Sequence, residues 1–304
     1  AYIADGSAGL YIINVADPAN PSVLSTLPSS NGMYVVDTLL YSAGWDEFCV
    51  YNISYPSNPI LIGTGNIDGC GYDVCVRGDY AYPITSYWGW MGDGPNRLWR
   101  LDVSNPSTPA VVDYYQTTNS AYDCPNSVSL CGDHAYMGAG GFLVVDVSDP
   151  ALPIQASYRD SLWTYGVLVD SPLAYTCCPV GSRGGFRKID VSDPHNPVLV
   201  DSNNQVGGFD LDGGLGTFCL ADGEQGLWIM YGMSVTHGQI PMGMAKAVAF
   251  RNPYAYVADE SYGLRIVDVV DVVEVGLCYT GMGCHEVAVS GDYAYLVGDG
   301  FWVV

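Results

Sequence analysis

The chain is poor in basic residues. Lys and Arg together number 10 against 32 Asp and Glu, and lysine occurs only at Lys188 and Lys246. The formal charge of −22 therefore comes from missing bases more than from surplus acids. Such a surface repels phosphate, so neither nucleic acid nor an anionic membrane surface is an expected partner. Long apolar runs are missing as well, and no membrane insertion is expected. No segment sustains a helical apolar period. Histidine is scarce: His134, His195, His237 and His285 lie far apart, in no ligand spacing. A Gly-x-Ser-x-Gly elbow, a phosphate loop and an EF-hand are all absent. Asp-Gly pairs such as Asp5-Gly6, Asp222-Gly223 and Asp299-Gly300 read as turns rather than structural calcium sites, since none presents three spaced carboxylates. The sequence therefore assigns no catalytic residue, no cofactor and no metal ligand, and the expectation is a protein that is not an enzyme.

What is abundant points to short strands and tight turns: 37 Gly, 18 Pro and 24 Tyr. Ten cysteines are many for a reducing compartment, and their number is even. They are expected to form disulfides, with Cys70, Cys75, Cys124, Cys131, Cys278 and Cys284 as candidates. A Cys278–Cys284 bridge and one involving Cys70 or Cys124 come first, because Cys70 and Cys124 hold equivalent positions in adjacent repeats. Paired cysteines and a base-poor surface together predict an extracellular or cell-surface location.

One phrase recurs throughout: a small residue, an aromatic, a short apolar run, then a turn with Gly or Asp. It reads Ala1-Tyr2-Ile3-Ala4-Asp5-Gly6, Ala255-Tyr256-Val257-Ala258-Asp259 and Ala294-Tyr295-Leu296-Val297-Gly298. The aromatic anchors are Tyr2, Tyr41, Tyr82, Tyr136, Tyr175, Phe218, Tyr256 and Tyr295, separated by 39, 41, 54, 39, 43, 38 and 39 residues. A period of about 40 is the length of a four-stranded propeller blade. The predicted fold is all-β: one domain over 1–304, a β-propeller of seven or eight four-stranded blades. The repeat units run approximately 1–32, 33–71, 72–125, 126–166, 167–208, 209–247, 248–286 and 287–304. The seventh shows the scheme: strand a at Val248-Ala249-Phe250, b from Tyr254 to Ala258, c from Gly263 to Val269, and d from near Val272 to Tyr279.

Strand c usually ends in a proline turn, as in Asp146-Val147-Ser148-Asp149-Pro150-Ala151-Leu152-Pro153 and Asp190-Val191-Ser192-Asp193-Pro194-His195-Asn196-Pro197. Together with Gly141-Phe142-Leu143-Val144-Val145-Asp146 and Gly263-Leu264-Arg265-Ile266-Val267-Asp268, this resembles the LVIVD repeat family. The resemblance runs along the whole chain and implies a propeller of a secreted or surface-attached protein. It implies no reaction, because propellers host unrelated functions. The sixth unit departs from the pattern at Ile229-Met230-Tyr231-Gly232-Met233, and the seventh lacks the turn prolines.

The two terminal units are incomplete: the first lacks strand a and the eighth lacks strand d. Eight units with two short ends is the preferred count. Strand bookkeeping then predicts an unpaired edge at each end, a place where another chain adds a strand. The residues expected there are Tyr11, Ile12 and Ile13 at one end and Tyr295, Phe301, Trp302 and Val303 at the other. The first functional expectation is accordingly a surface propeller acting through protein–protein contacts, itself head-to-tail in a filament or surface layer. The alternative is a glycan-binding or glycan-cleaving propeller. It rests on an aromatic insertion near residues 83–99 that carries Tyr87, Trp88, Trp90 and Trp99. Strand a segments such as Tyr72-Asp73-Val74-Cys75, Ser127-Val128-Ser129-Leu130 and Val287-Ala288-Val289-Ser290 read as mostly apolar or small, an axis without catalytic acids.

Overall fold

The computed structural model describes residues 10–28, 31–86, 96–117, 125–149, 152–179, 184–214, 216–233, 235–281 and 283–299. All described elements are strands. The chain opens with β1 (Leu10–Asn14) and β2 (Ser22–Leu27), then β3 (Gly32–Val36), β4 (Leu39–Ala43) and β5 (Trp45–Asn52). A long β6 (Ile60–Arg77) leads to β7 (Tyr80–Ser86), β8 (Arg97–Asp102) and β9 (Ala110–Gln116). Next come β10 (Pro125–Cys131), β11 (His134–Ala139), β12 (Phe142–Asp146) and β13 (Ile154–Arg159), then β14 (Gly166–Asp170), β15 (Leu173–Cys178), β16 (Gly185–Asp190) and β17 (Val198–Asn203). The last are β18 (Asp210–Gly214), β19 (Thr217–Ala221), β20 (Leu227–Tyr231), β21 (Val235–Ile240), β22 (Ala245–Arg251), β23 (Tyr254–Asp259), β24 (Gly263–Asp268), β25 (Val273–Tyr279), β26 (Gly283–Ser290) and β27 (Tyr293–Asp299).

Five sheets are four-stranded antiparallel meanders or their equivalent, and β6 joins two more by ending one sheet and beginning the next. The innermost strands touch in the order β26, β3, β6, β10, β14, β18, β22 and back to β26, so the described strands close into a propeller ring. Closure uses both ends of the chain, since one sheet has the order β2-β1-β27-β26. The seam is antiparallel, with Tyr11 opposite Leu296 and Ile12 opposite Tyr295.

Apolar residues fill the gaps between sheets rather than one central core, which explains why strands b and c read as nearly continuous apolar runs. β12 is buried at Phe142, Leu143, Val144 and Val145. The aromatic anchors have a repeated partner at the start of strand c. Tyr41, Tyr136 and Tyr175 lie 6.2, 6.1 and 6.2 Å from fully buried Phe48, Phe142 and Phe186.

The turn after strand c is built twice over. Asn14, Asn52, Asp102, Asp146, Asp190 and Asp268 each accept the backbone N–H two residues on, which ends the strand. The turn then seats on the outer strand of the preceding sheet. Ser25 Oγ donates to the Pro56 carbonyl and Ser157 Oγ to that of Pro194, each at 2.8 Å. At the equivalent places a Cβ on Gly63 would lie 2.2 Å from the Pro106 oxygen, and one on Gly276 1.9 Å from that of Pro18. In these four sheets the position is held by glycine or serine.

Two expectations need correction. The residues assigned to open ends do not form an exposed edge: β1 is paired on both sides, Ile12 and Ile13 are fully buried, and Tyr295 is 2% exposed. Two strands from each terminus complete one sheet, so the edge that the counting implied is consumed. Phe301, Trp302 and Val303 lie outside the described residues. The expected disulfides are also missing among the described residues, where no S–S bond joins Cys70, Cys75, Cys131, Cys278 or Cys284 to one another. Cys124 lies outside them. Cys75, Cys278 and Cys284 serve as small apolar side chains in inter-sheet clusters, Cys131 packs against another, and the strand positions of Cys49, Cys177 and Cys219 do the same work.

Candidate functional site

The innermost strands bring a set of side chains to the ring axis that no single repeat displays. In four sheets the register slips at the start of the inner strand, between Gly71 and Asp73, Pro125 and Ser127, Ala245 and Ala247, and Cys284 and Glu286. A bulge of this kind turns one side chain out of the ladder. The residues skipped are Tyr72, Asn126, Lys246 and His285, and all four line a cavity of about 630 Å³ at the axis. Asn31, Tyr165 and Phe209, each one residue ahead of or at the start of its inner strand, complete the upper tier.

The residues that follow form a second tier: Gly32, Asp73, Ser127, Gly166, Asp210, Ala247 and Glu286. Hydrogen bonds show their equivalence. Asp73 Oδ2 accepts from Val128 N at 2.8 Å, Ser127 Oγ from Val167 N at 3.3 Å, and Asp210 Oδ2 from Val248 N at 2.9 Å. Each side chain therefore caps an otherwise open N–H of the next inner strand, which answers the edge problem at the axis. Small residues alternate with acidic ones because there is no room for more: a Cβ on Gly32 would lie 2.5 Å from Asp73 Cα, and one on Gly166 3.0 Å from Asp210 Cα.

Three carboxyl groups thus meet at the axis. Burial pushes Asp73 up to about 7, against the opposing effect of the Val128 and Val74 N–H groups. Asp210 is likewise pushed up by burial to about 7, helped by the like charges of Asp212 and Asp73 and opposed by the Val248 N–H. Glu286 is raised well above the ordinary carboxyl range by burial and then by Asp73 and Asp210. Asp73 and Asp210 both have backbone partners. Glu286 has no hydrogen-bond or ion-pair partner among the described residues, and it lines the cavity. Lys246 at the rim is held elsewhere, 3.3 Å from Glu260 and 4.6 Å above the Phe209 ring.

The cavity mouth carries Trp45, 64% exposed at the start of β5. A turn fixes its position: Asp46 adopts φ 58° and its Oδ1 accepts the Gly69 N–H at 2.6 Å. Cys70, across the ladder from Trp45, accepts from Asn31 Nδ2 at 2.8 Å. Tyr165 meets Phe209 edge to face at 5.9 Å. Chemically the site offers aromatic faces outside, carboxyl groups inside and a chamber of ligand-pocket size. Among the described residues no group of His, Cys, Asp and Glu is arranged to hold a metal ion.

The sequence reading missed this site. Its strand a segments began one residue too late to include Glu286 and took Asp73 as incidental. It noted no carboxylate at Asp210. A usable signal existed: Asp73, Asp210 and Glu286 each stand at the start of an inner strand, just after Tyr72, Phe209 and His285. Of the aromatic insertion, Tyr87, Trp88 and Trp90 lie outside the described residues. Trp99 is buried, donates from Nε1 to Thr85 Oγ1 at 2.9 Å and packs on Tyr114, so it belongs to the core of its sheet.

Solved structures share this fold at low identity. The computationally designed Ika8 protein aligns at 8% identity and a TM-score of 0.63, covering 96% of this chain and 91% of that one. A functionally unknown protein from Desulfotomaculum acetoxidans aligns at 10% identity and 0.68, covering 95% and 99%. Sqt1 of Saccharomyces cerevisiae aligns at 6% identity and 0.65, covering 95% and 89%. A comparison with curated protein sequences gives no match. The LVIVD repeat model matches residues 1–27, 68–117, 125–159, 242–276 and 283–304, more than half of the chain. The chain, with its propeller ring and seated turn after strand c, belongs to the LVIVD repeat family.

Proposed function

We propose that this chain is a non-catalytic recognition propeller, at the cell surface or outside the cell, that binds a partner through the mouth of its axial cavity. The observation that carries this reading is the cavity itself: about 630 Å³, entered past an exposed Trp45 and lined by residues at or just ahead of the start of every inner strand. Binding sites of this volume combine aromatic walls with a few oriented polar groups, as here. Trp45 and Tyr165 have the amphipathic faces on which protein partners commonly anchor. A catalytic role is disfavoured because Asp73 and Asp210 spend oxygens on the backbone of the next strand. Assembly by strand addition is disfavoured too. Each c–d pair has a bulge near its middle, and the next sheet's turn sits over it in the cases above, which blunts the outer edges without lysine.

A second reading, recognition of a glycan in the same cavity, is favoured by one feature, the pairing of aromatic faces with acceptor carboxyl groups. Immobilised protein probed with peptide and glycan libraries tests both. Trp45→Ala should remove the binding of true ligands, while Tyr55→Ala, an exposed change in a distant turn, should leave it intact. Ligands that bind both variants equally well would place recognition elsewhere and defeat the proposal.

A further inference from the structure

We infer that the axial cavity takes an organic cation, a primary ammonium group on a flexible chain, with Glu286 as its counter-ion and the aromatic mouth around its stem. This rests on the reading of the cavity as the recognition site. Three independent features converge on it. Glu286 lines the cavity, half-buried and with no partner among the described residues, although carboxylates drawn away from bulk water are normally paired or hydrogen-bonded. No described basic side chain lies within ion-pair distance of Glu286, Asp73 or Asp210, since the one nearby ammonium, on Lys246, is held by Glu260. The rim already accommodates an ammonium over an aromatic face, because Lys246 Nζ sits 4.6 Å above the Phe209 ring.

The geometry also selects the kind of cation. Asp73, Asp210 and Glu286 come from β6, β18 and β26, with the small residues Ser127, Gly166 and Ala247 on the strands between them. Among the described residues no group of His, Cys, Asp and Glu is set closely enough to hold a metal ion. An ammonium asks less: one carboxylate serves as its counter-ion, and its hydrogen bonds reach acceptors about 2.8 Å away rather than the roughly 2.4 Å of a hard metal ion. Asp73 and Asp210 keep lone pairs for such donors after accepting from Val128 and Val248.

The proton balance follows. Without a ligand the carboxyl cluster retains protons, because its members are buried beside one another. Arrival of an ammonium converts the Glu286 carboxylic acid to a carboxylate, and the released proton goes to the buffer. The titratable groups on the strands around Glu286 include Tyr34 on β3, Tyr72, Asp73 and Cys75 on β6, Asp210 and Asp212 on β18, Lys246 and Arg251 on β22, and the adjacent His285. Asp73 and Asp210 raise its proton affinity as like charges.

Calorimetry on the intact chain near neutral pH, in two buffers of different ionisation enthalpy, tests the inference. The probes are 1,5-diaminopentane, Nα-acetyl-lysine amide and a short peptide with one central lysine. Nα-acetyl-norleucine amide, methyl glucoside and calcium chloride serve as controls. The amines should bind with buffer-dependent heat that reports proton release, and Glu286→Gln should weaken them at least about tenfold. Circular dichroism checks that the variant is folded. Tighter binding of the peptide than of the diamine assigns the cation to a protein lysine; the reverse assigns it to a free amine. If the glucoside binds in a Trp45-dependent way and the amines do not, the cation is wrong while the cavity reading stands. Amine binding unchanged by Glu286→Gln, preference for calcium, or no amine binding at millimolar concentration each overturns the inference.

Discussion

Raising the pH from mildly acidic to mildly basic should destabilise this protein. Asp73 and Asp210 ionise in the fold at about 7, against 3.8 for an unburied aspartate. Between those values the folded chain holds more protons than the unfolded chain. Stability is therefore full below the unfolded value and is lost as pH rises through the folded one. One carboxyl group displaced by about 3 units contributes about 4 kcal/mol across that window. The pair contributes less than twice that, because part of the rise in Asp210 is the charge of Asp73. The lowered aspartates act in a different window. Ser104, Ser148 and Ser192 donate to Asp102, Asp146 and Asp190 and hold them below the ordinary value. Their stabilisation is present above that value and lost only as pH falls beneath it, and all three are largely solvated, so it is small. The two effects place maximum stability near pH 4–5, at roughly the ordinary carboxyl range.

Urea midpoints at about pH 4.5, 6 and 8, each at low and high salt, measure this. Repulsion among the surface acids also grows with pH, but it is screened by salt, whereas the axial effect is not. The midpoint should fall with pH at both salt concentrations. Glu286→Gln removes one buried acid and should flatten the profile, leaving the variant more stable than the parent at pH 8 and similar to it at about pH 4.5. A midpoint that is level or rises from acid to base at high salt would refute the reasoning. An unchanged slope in the variant would show that the carboxyl groups are not a cluster.

Two further outcomes follow from the packing. Gly276→Ala should cost about 2–4 kcal/mol, because its Cβ would lie 1.9 Å from the Pro18 carbonyl and would unseat the β1–β2 turn of the closing sheet; Ser25→Ala, which loses one hydrogen bond to a similar turn, should cost only about 1 kcal/mol by thermal unfolding. Brief alkylation of the native protein at mildly basic pH should modify Cys70 and Cys131, the partly exposed thiols, and spare Cys49 and Cys75, whose thiols burial holds far from ionisation; mass spectrometry that instead found Cys278 bridged to Cys284 would contradict the packing.

The strand scheme was legible in the sequence because the propeller repeats one solution. Strand b of the seventh unit, expected from Tyr254 to Ala258, spans Tyr254–Asp259, and strand c, expected from Gly263 to Val269, spans Gly263–Asp268. The Asp-Pro-x-x-Pro turn was visible because both its halves are local: an Asx hydrogen bond and a fixed φ. Closure was not legible in the same way. Counting strands shows that the two ends are short, but only three-dimensional pairing shows β1 set between β2 and β27. The cysteines misled for a related reason. Their even number and local spacing fit bridges, yet Cys49, Cys177 and Cys219 occupy strand positions where a small apolar side chain is what the inter-sheet gap admits.

The axial site was hidden by the feature that creates it. A repeat reveals itself through constant register, and a period-matching argument discounts any residue that falls out of step. Tyr72, Asn126, Lys246 and His285 are out of step, each skipped by the ladder at the start of an inner strand. The same kind of defect has opposite effects at the two ends of a sheet. In the outer c–d pairs it twists the edge away and lets a turn cover it, which suppresses pairing with other chains. At the inner strands it aims a side chain at the axis. The outer defects are nearly alike from sheet to sheet, as a stability device should be. The inner ones present a tyrosine, an asparagine, a lysine and a histidine, and the next tier mixes three acids with glycine, serine and alanine. Uniform packing would give a symmetric axis of small residues. Departure from it, at half-buried positions where each carboxyl group is costly, is the reason to look for this protein's ligand there.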